Sequence, residues 1–292
     1  MKNNIEEYLK KIDEVILSHL GGNHISGTIA EASRYSIKSG GKRFRPYLLF
    51  AALDAFSTPL DKGLKTASAI EMIHTYSLIH DDLPAMDDDD LRRGNPTNHK
   101  VFGEAAAILA GDNLLTESFH LIVNDEKLSA GTRLELVRII ADSAGQNGMI
   151  GGQMLDIEAE NEDITFEELE TIHKYKTGRL ISAPVHAAVT IAEADDETAS
   201  HLLRFSEYLG ITFQIRDDIL DVTGDVKVTG KNTGSDARKD KVTYVSAFGL
   251  EGAKERMEQK VSLAETELDA VKRTIDITEL KNVLNKFAIR EN

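Results

Sequence analysis

The sequence predicts an all-α protein, and three observations predict it. Only five prolines occur (Pro46, Pro59, Pro84, Pro96 and Pro184), leaving the 108 residues after Pro184 without one. Proline lacks an N–H and its ring collides with the preceding turn, so the strongest helix breaker is missing from over a third of the chain. Apolar residues recur at helical spacing, as in Tyr8, Ile12, Ile16 and Leu20, or in Leu134, Val137, Ile140 and Ala141. Alternating strand-like runs are scarce.

Taken in order, the opening MKNNIEEYLKKIDEVILSHL interleaves glutamates with Ile and Leu. That is an amphipathic helix and not the unbroken apolar segment of a secretion signal. Gly40-Gly41-Lys42-Arg43-Phe44-Arg45-Pro46 combines a turn with three cations. Glu71 to His80 reads as an apolar helix that delivers Asp81 and Asp82 at its end, and a second apolar helix begins near Tyr208. Gly224 to Tyr244, rich in Gly, Lys and Asp, is the one long stretch that reads as a loop. No repeat, low-complexity block or linker interrupts this pattern, so residues 1–292 are expected to form one domain.

Composition narrows the function. The chain of 292 residues carries 49 acidic and 34 basic side chains, a net charge of −15, which disfavours nucleic acid and anionic membrane surfaces as partners. It has no cysteine, which removes disulfides, thiolate catalysis and cysteine-held metals, and points to a reducing, cytoplasmic setting. Its longest apolar stretches, such as Ala105 to Ala110, fall far short of the roughly 20 residues that span a bilayer.

Nine of the acids fall in two clusters. The first places six aspartates within Asp81 to Asp90, directly after the apolar helix. A helix C-terminus carries partial negative charge, so paired carboxylates there need cations. The second is Gln214-Ile215-Arg216-Asp217-Asp218-Ile219-Leu220-Asp221. On a helix, Gln214, Asp217, Asp218 and Asp221 share one stripe with neighbours about 5–6 Å apart, where like charges repel. Oxygen-only ligands specify a hard divalent ion, and Mg2+ suits them better than Ca2+ because no flexible Ca2+ loop is present. Mg2+ completes its shell with water and substrate phosphates. Arg92-Arg93-Gly94, Lys176-Thr177-Gly178-Arg179 and the lysines from Lys231 to Lys241 supply the cations of a diphosphate site.

Together these segments resemble the trans-prenyltransferases, or isoprenyl diphosphate synthases, and among them the bacterial-type farnesyl diphosphate synthases. The resemblance runs through GGKRFRP, DDLPAMDDDDLRRG, GGQMLD, YKTGRL, FQIRDDILD and GKNTGSDARKDKVTY, in order over nearly the whole chain. It implies a bundle of antiparallel helices around a central cavity, the isoprenoid synthase fold, with the two aspartate motifs facing each other across it, in a homodimer. It implies that Asp81, Asp87 and Asp217 coordinate up to three Mg2+, with Asp82, Asp218 and Asp221 as weaker or supporting ligands. Arg92, Lys176, Thr177, Gln214, Lys231 and Lys241 would hold an allylic diphosphate, and Lys42, Arg45, His74 and Arg93 isopentenyl diphosphate. Gln153 and Asp156 of GGQMLD would support the site.

The implied reaction begins by ionising an allylic C–O bond, so fixed cations that stabilise the departing diphosphate lower its barrier. The isopentenyl double bond then attacks the allylic cation, and a proton is lost. No protein nucleophile is needed, in keeping with a chain lacking a Ser/His/Asp pattern. Residues 224–244 are expected to close over the substrate and exclude water. His74 lies two helical turns before Asp81, about 10 Å along the same face. Asp81 and Asp87 are six residues apart, so Pro84 must break the helix for both to reach one metal group. Tyr76 lies about 7–8 Å of rise before Asp81, and the resemblance, which places an aromatic here in farnesyl diphosphate synthases, implies that it floors the cavity and stops growth at farnesyl diphosphate. The alternatives are a geranylgeranyl diphosphate synthase, a class I terpene cyclase, and a non-catalytic helical scaffold.

Overall fold

A computed structural model describes residues 4–22, 25–160, 162, 164–223 and 242–288. As the proline gap and helical spacing predict, the described residues are overwhelmingly helical. They form α1 (Ile5–His19), α2 (Gly27–Lys38), α3 (Phe44–Ala55), α4 (Leu64–Asp81), α5 (Asn98–Phe102), α6 (Glu104–Val123), α7 (Ala130–Ala144), α8 (Met149–Glu158), α9 (Phe166–His173), α10 (Arg179–Ile191), α11 (Asp196–Thr223), α12 (Tyr244–Val271) and α13 (Thr278–Ala288). Two compact units result: Met1–Asp54 with Thr58–Arg138, and Ala55–Ser57 with Ile139–Asn292.

In the first unit α4 is the central helix, packed by α6, α1 and α2. Its residues from Thr66 to Ile73 are all buried, so it has no solvent face along those two turns. Ile12 and Ile16 of α1 and Ala107, Ala110 and Leu114 of α6 are fully buried. Each large aliphatic side chain of this kind contributes about 1.5–3 kcal/mol. Asn4 and Ser26 cap α1 and α2 by accepting the amides of Glu7 and Ile29.

The one sheet among the described residues is a two-stranded antiparallel hairpin, β1 (Leu91–Arg92) and β2 (Asn95–Pro96). Its two-residue turn uses Arg93 (φ 55°) and Gly94 (φ 79°), both left-handed, as a type I′ turn requires. The Tyr35 hydroxyl donates to the Pro96 carbonyl at 2.8 Å and ties this hairpin to α2.

In the second unit α11 packs along α12, which is broken at Gly249, where φ is 70°. Helix α11 starts at Asp196, well before Tyr208, because Thr198, Leu202, Phe205 and Leu209 already form a buried stripe over its early turns. Ile215 of α11 joins Leu169, Tyr244, Ala253 and Met257 in a core cluster, with Ile211 and Ile219 against it. That burial aims one face of α11 inward and fixes where its aspartates emerge.

Candidate active site

In the first unit α4 ends at Asp81, and Asp82 caps it. The turn through Pro84 then folds the chain back: the Asp87 amide donates to the Asp81 carbonyl at 2.8 Å, and the Asp88 amide to that of Leu83 at 3.1 Å. Asp88 takes a left-handed φ of 51° to complete the turn. The six-residue gap in sequence therefore closes to direct backbone contact. Asp81 is half-buried and Asp87 exposed, whereas Asp82 is buried. Arg92, carried in by the hairpin, donates to Asp82 from Nε at 2.7 Å and again from Nη2. A buried carboxylate at a helix C-terminus is thus matched by a guanidinium of the chain itself.

Around this end of α4 lies a group of arginines. Arg43 is buried and donates to Glu71 at 2.9 Å, to Asp13 at 2.8 Å and to the carbonyls of Gly40 and Ile37. Arg93 donates to the Gly40 carbonyl. Gly41 has a φ of 148°, a conformation that side-chain-bearing residues rarely adopt, which is why the turn needs glycine there. Burial pulls the Arg45 guanidinium down to about 10, with Arg93 adding to the effect and Glu71 opposing it. Its Nε is buried and has no hydrogen-bond partner among the described residues. Burial, then Arg45, Arg93, Arg92 and Arg43, hold the His74 imidazole well below its ordinary pKa, so it is neutral near pH 7. Lys42 is exposed beside this group.

Tyr76 sits on the same helix with its ring 4% exposed, edge-on to His80 at 5.8 Å between centroids. Its hydroxyl finds no partner among the described residues, and burial, with Asp81 nearby, pushes its pKa up to about 12.

In the second unit α9 and α10 are joined by a π-helical turn, Lys174–Gly178, which carries Lys176 and Thr177. Single π-turns of this kind occur often at functional sites. Lys176 Nζ donates to Asp156 Oδ2 of α8 at 2.7 Å. A Cβ on Gly152 would fall 2.0 Å from the Lys176 nitrogen, and one on Gly210 would lie 3.1 Å from Gly178 Cα. Glycines on α8 and α11 thus let both helices press against the turn. This explains in physical terms why Gly152 and Asp156 stand one helical turn apart in GGQMLD.

On α11, Gln214 and Asp221 are half-buried, Asp217 is exposed and Asp218 is 7% exposed. Asp218 Oδ2 accepts the Tyr244 amide at 2.7 Å, at the first turn of α12. The Tyr244 ring lies edge-on to Phe166 at 5.2 Å and stacks on His173 at 5.8 Å, and its hydroxyl donates to Glu170 at 3.1 Å. Burial and then Glu170 raise the Tyr244 phenol far above its usual pKa. Sequence reasoning missed Arg43 and Tyr244 as supports; only their positions beside GGK and at the end of the Lys-rich segment hinted at them. Lys231, Lys241 and the 224–241 part of the expected lid lie outside the described residues.

Carboxylate oxygens are the only side-chain acceptors that both clusters offer in number, a hard donor set suited to Mg2+. No helix among the described residues is long and apolar enough to cross a membrane.

Known proteins are similar to this chain over most of its length. The family described as polyprenyl synthetase matches residues 26–278. The farnesyl diphosphate synthase of Bacillus subtilis is 48% identical over 266 residues, covering 90% of this chain and 86% of that protein. That of Geobacillus stearothermophilus is 50% identical over 242 residues, 82% of each chain. Relatives named for geranylgeranyl diphosphate match at lower identity. Among solved structures, a Helicobacter pylori geranyltransferase complexed with magnesium and isoprenyl diphosphate aligns with a TM-score of 0.86 at 35% identity, covering 97% of this chain and 95% of that one. The chain belongs to the polyprenyl synthetase family.

Proposed function

We propose that this prenyltransferase condenses isopentenyl diphosphate with dimethylallyl or geranyl diphosphate, head to tail, and releases farnesyl diphosphate. The observation that carries the reading is the group of arginines around neutral His74. Arg43 is met by Glu71 and Asp13 and Arg92 by Asp82, whereas among the described residues Arg45 keeps a buried, unpartnered Nε and neither Arg45 nor Arg93 has a carboxylate partner. An anion with several oxygens, such as a diphosphate, answers that excess.

In this reading Lys42, Arg45, His74 and Arg93 hold isopentenyl diphosphate. Arg92, Lys176, Thr177 and Gln214, with Lys231 and Lys241, hold the allylic diphosphate. Asp81, Asp87 and Asp217 hold up to three Mg2+, and Asp82, Asp218 and Asp221 support them. Mg2+ held there would supply positive charge to the diphosphate in the breaking of the allylic C–O bond. Asp156 keeps Lys176 extended toward its diphosphate oxygen, and Asp82 does the same for the fork of Arg92. The allylic cation adds to the isopentenyl double bond. The proton then lost from the adduct passes to the departing diphosphate, so no side chain need act as base. Tyr76, buried on α4 five residues before Asp81, blocks a tail longer than that of the C15 product. The whole chain acts as one catalytic domain in a homodimer, as the family resemblance implies. Its cysteine-free composition supports a cytoplasmic setting.

Incubation with Mg2+, isopentenyl diphosphate and either allylic starter, followed by chromatography of the dephosphorylated products, tests this. A C15 alcohol is expected. A C20 alcohol would move the assignment to geranylgeranyl synthesis. Absence of elongation, or cyclisation of a supplied prenyl diphosphate, would overturn it.

A further inference from the structure

We infer that His19, Glu117 and His120 form a binding site for one transition-metal dication of the Zn2+ class, separate from the aspartate clusters. His19 is the last residue of α1, and Glu117 and His120 lie one turn apart on α6. Glu117 Oε2 is 2.8 Å from His19 Nε2 and 3.2 Å from His120 Nδ1. One ligand atom of each of the three residues lies within 4.8 Å of the other two. A tetrahedral zinc with bonds of about 2.0–2.2 Å holds its ligand atoms about 3.3–3.6 Å apart. Two edges of the triangle are therefore near the required length. The third, at most 4.8 Å, closes by rotation of the His120 ring, whose side chain is 60% exposed and whose ring already lies 5.5 Å from that of His19.

The donor set decides the metal. Two imidazoles with one carboxylate select zinc and its neighbours, whereas Mg2+ and Ca2+ prefer all-oxygen shells. The Glu-x-x-His pair on α6 has the i, i+3 spacing by which helices present metal ligands inward in carboxylate-bridged metal bundles. His19 adds a favourable location, because a cation at the C-terminus of α1 faces the negative end of its helix dipole. The exposed His120 and half-buried Glu117 leave a fourth position open to water. Bound metal would tie the end of α1 directly to α6, two helices otherwise held mainly through α4. The site is thus a clamp on the N-terminal helix, outside the catalytic groups.

Calorimetric titration of the metal-stripped full chain with Zn2+, in excess Mg2+ to occupy the aspartate clusters, tests the inference. One equivalent should bind, and a Co2+ titration should show the visible absorption of a tetrahedral ion. His120→Ala, an exposed change that leaves folding intact, should weaken binding by at least the roughly 10–100-fold that loss of a mere supporting partner costs. Asp217→Asn should leave it unaltered. Zn2+ should also raise the melting temperature of the native chain and not of His120→Ala. Equal Zn2+ affinity in native and His120→Ala proteins, or no stoichiometric binding, would overturn the site and leave Glu117 as a shared hydrogen-bond acceptor.

Discussion

Asp82 and Asp218 are each the second of two adjacent aspartates, and each is buried while the cluster around it reaches solvent, yet the chain satisfies them in different ways. Asp82 ends a helix, where the backbone field opposes its charge, and it takes the guanidinium of Arg92. Asp218 sits within a continuous helix, and among its contacts it accepts the amide of Tyr244. The first arrangement positions a cation; the second fixes the start of α12, the first residues after the Lys-rich segment. In both clusters the buried carboxylate serves the fold, and in the proposed function the less buried Asp81, Asp87 and Asp217 are the ones that hold metal. The lesson is that a run of like charges divides its labour by burial.

The comparison breaks most visibly at Arg92. Arg92→Ala strands Asp82 without its cation, and loss of one member of a buried pair costs roughly 3–5 kcal/mol, read as a lower urea midpoint. The double change Arg92→Leu with Asp82→Leu should recover much of that stability while activity stays low. A smaller effect is expected in the second cluster. Asp218→Ala leaves the Tyr244 amide unmet at about 1–3 kcal/mol, whereas Asp218→Asn keeps an acceptor and most of the stability. Equal losses from Ala and Asn would show that the carboxylate charge, and not the amide bond, is what counts there.

His74 sharpens the electrostatic side. Its folded pKa lies below the ordinary 6.5, so below that pH the unfolded chain binds the extra proton and stability falls as pH drops. The slope should reach up to about 1.4 kcal/mol per pH unit for this group, and His74→Asn should flatten it in urea titrations at pH 7 and 5.5. Tyr76→Phe should give the smallest change. Its hydroxyl has no partner among the described residues, so stability should stay within about 1 kcal/mol and the product should remain C15. Tyr76→Ala, by contrast, should yield longer products; continued arrest at C15 would remove the ring as the floor.

Much of this was legible in the sequence. The helical class followed from the missing prolines, and the six residues between Asp81 and Asp87 required a break that Pro84 could make. Helix α4 does end before Pro84, and the backbone bond from Asp87 to Asp81 closes the gap. Other features depend on tertiary partners that periodicity does not encode. The early turns of α11 were obscured because polar residues surround its narrow buried stripe. The π-turn at Lys174–Gly178 exists because Gly152 and Gly210 allow two helices to crowd it, contacts visible only in three dimensions. The hairpin is too short to show a strand pattern, although Arg93-Gly94 has the small turn chemistry of type I′. The pairing of Arg92 with Asp82 joins residues ten apart through that hairpin.

The division between outward and buried aspartates is tested most directly by titrating Mg2+ into the elongation of geranyl diphosphate with Asp217→Asn and Asp218→Asn side by side. Asp217→Asn should need more Mg2+ for half-maximal rate and lose roughly 10³-fold at saturation, equivalent to about 4 kcal/mol of transition-state stabilisation. Asp218→Asn should lose less than about tenfold, with its Mg2+ requirement little altered. The opposite ranking would contradict the account, because it would place the metal on the buried carboxylate that the fold has already engaged.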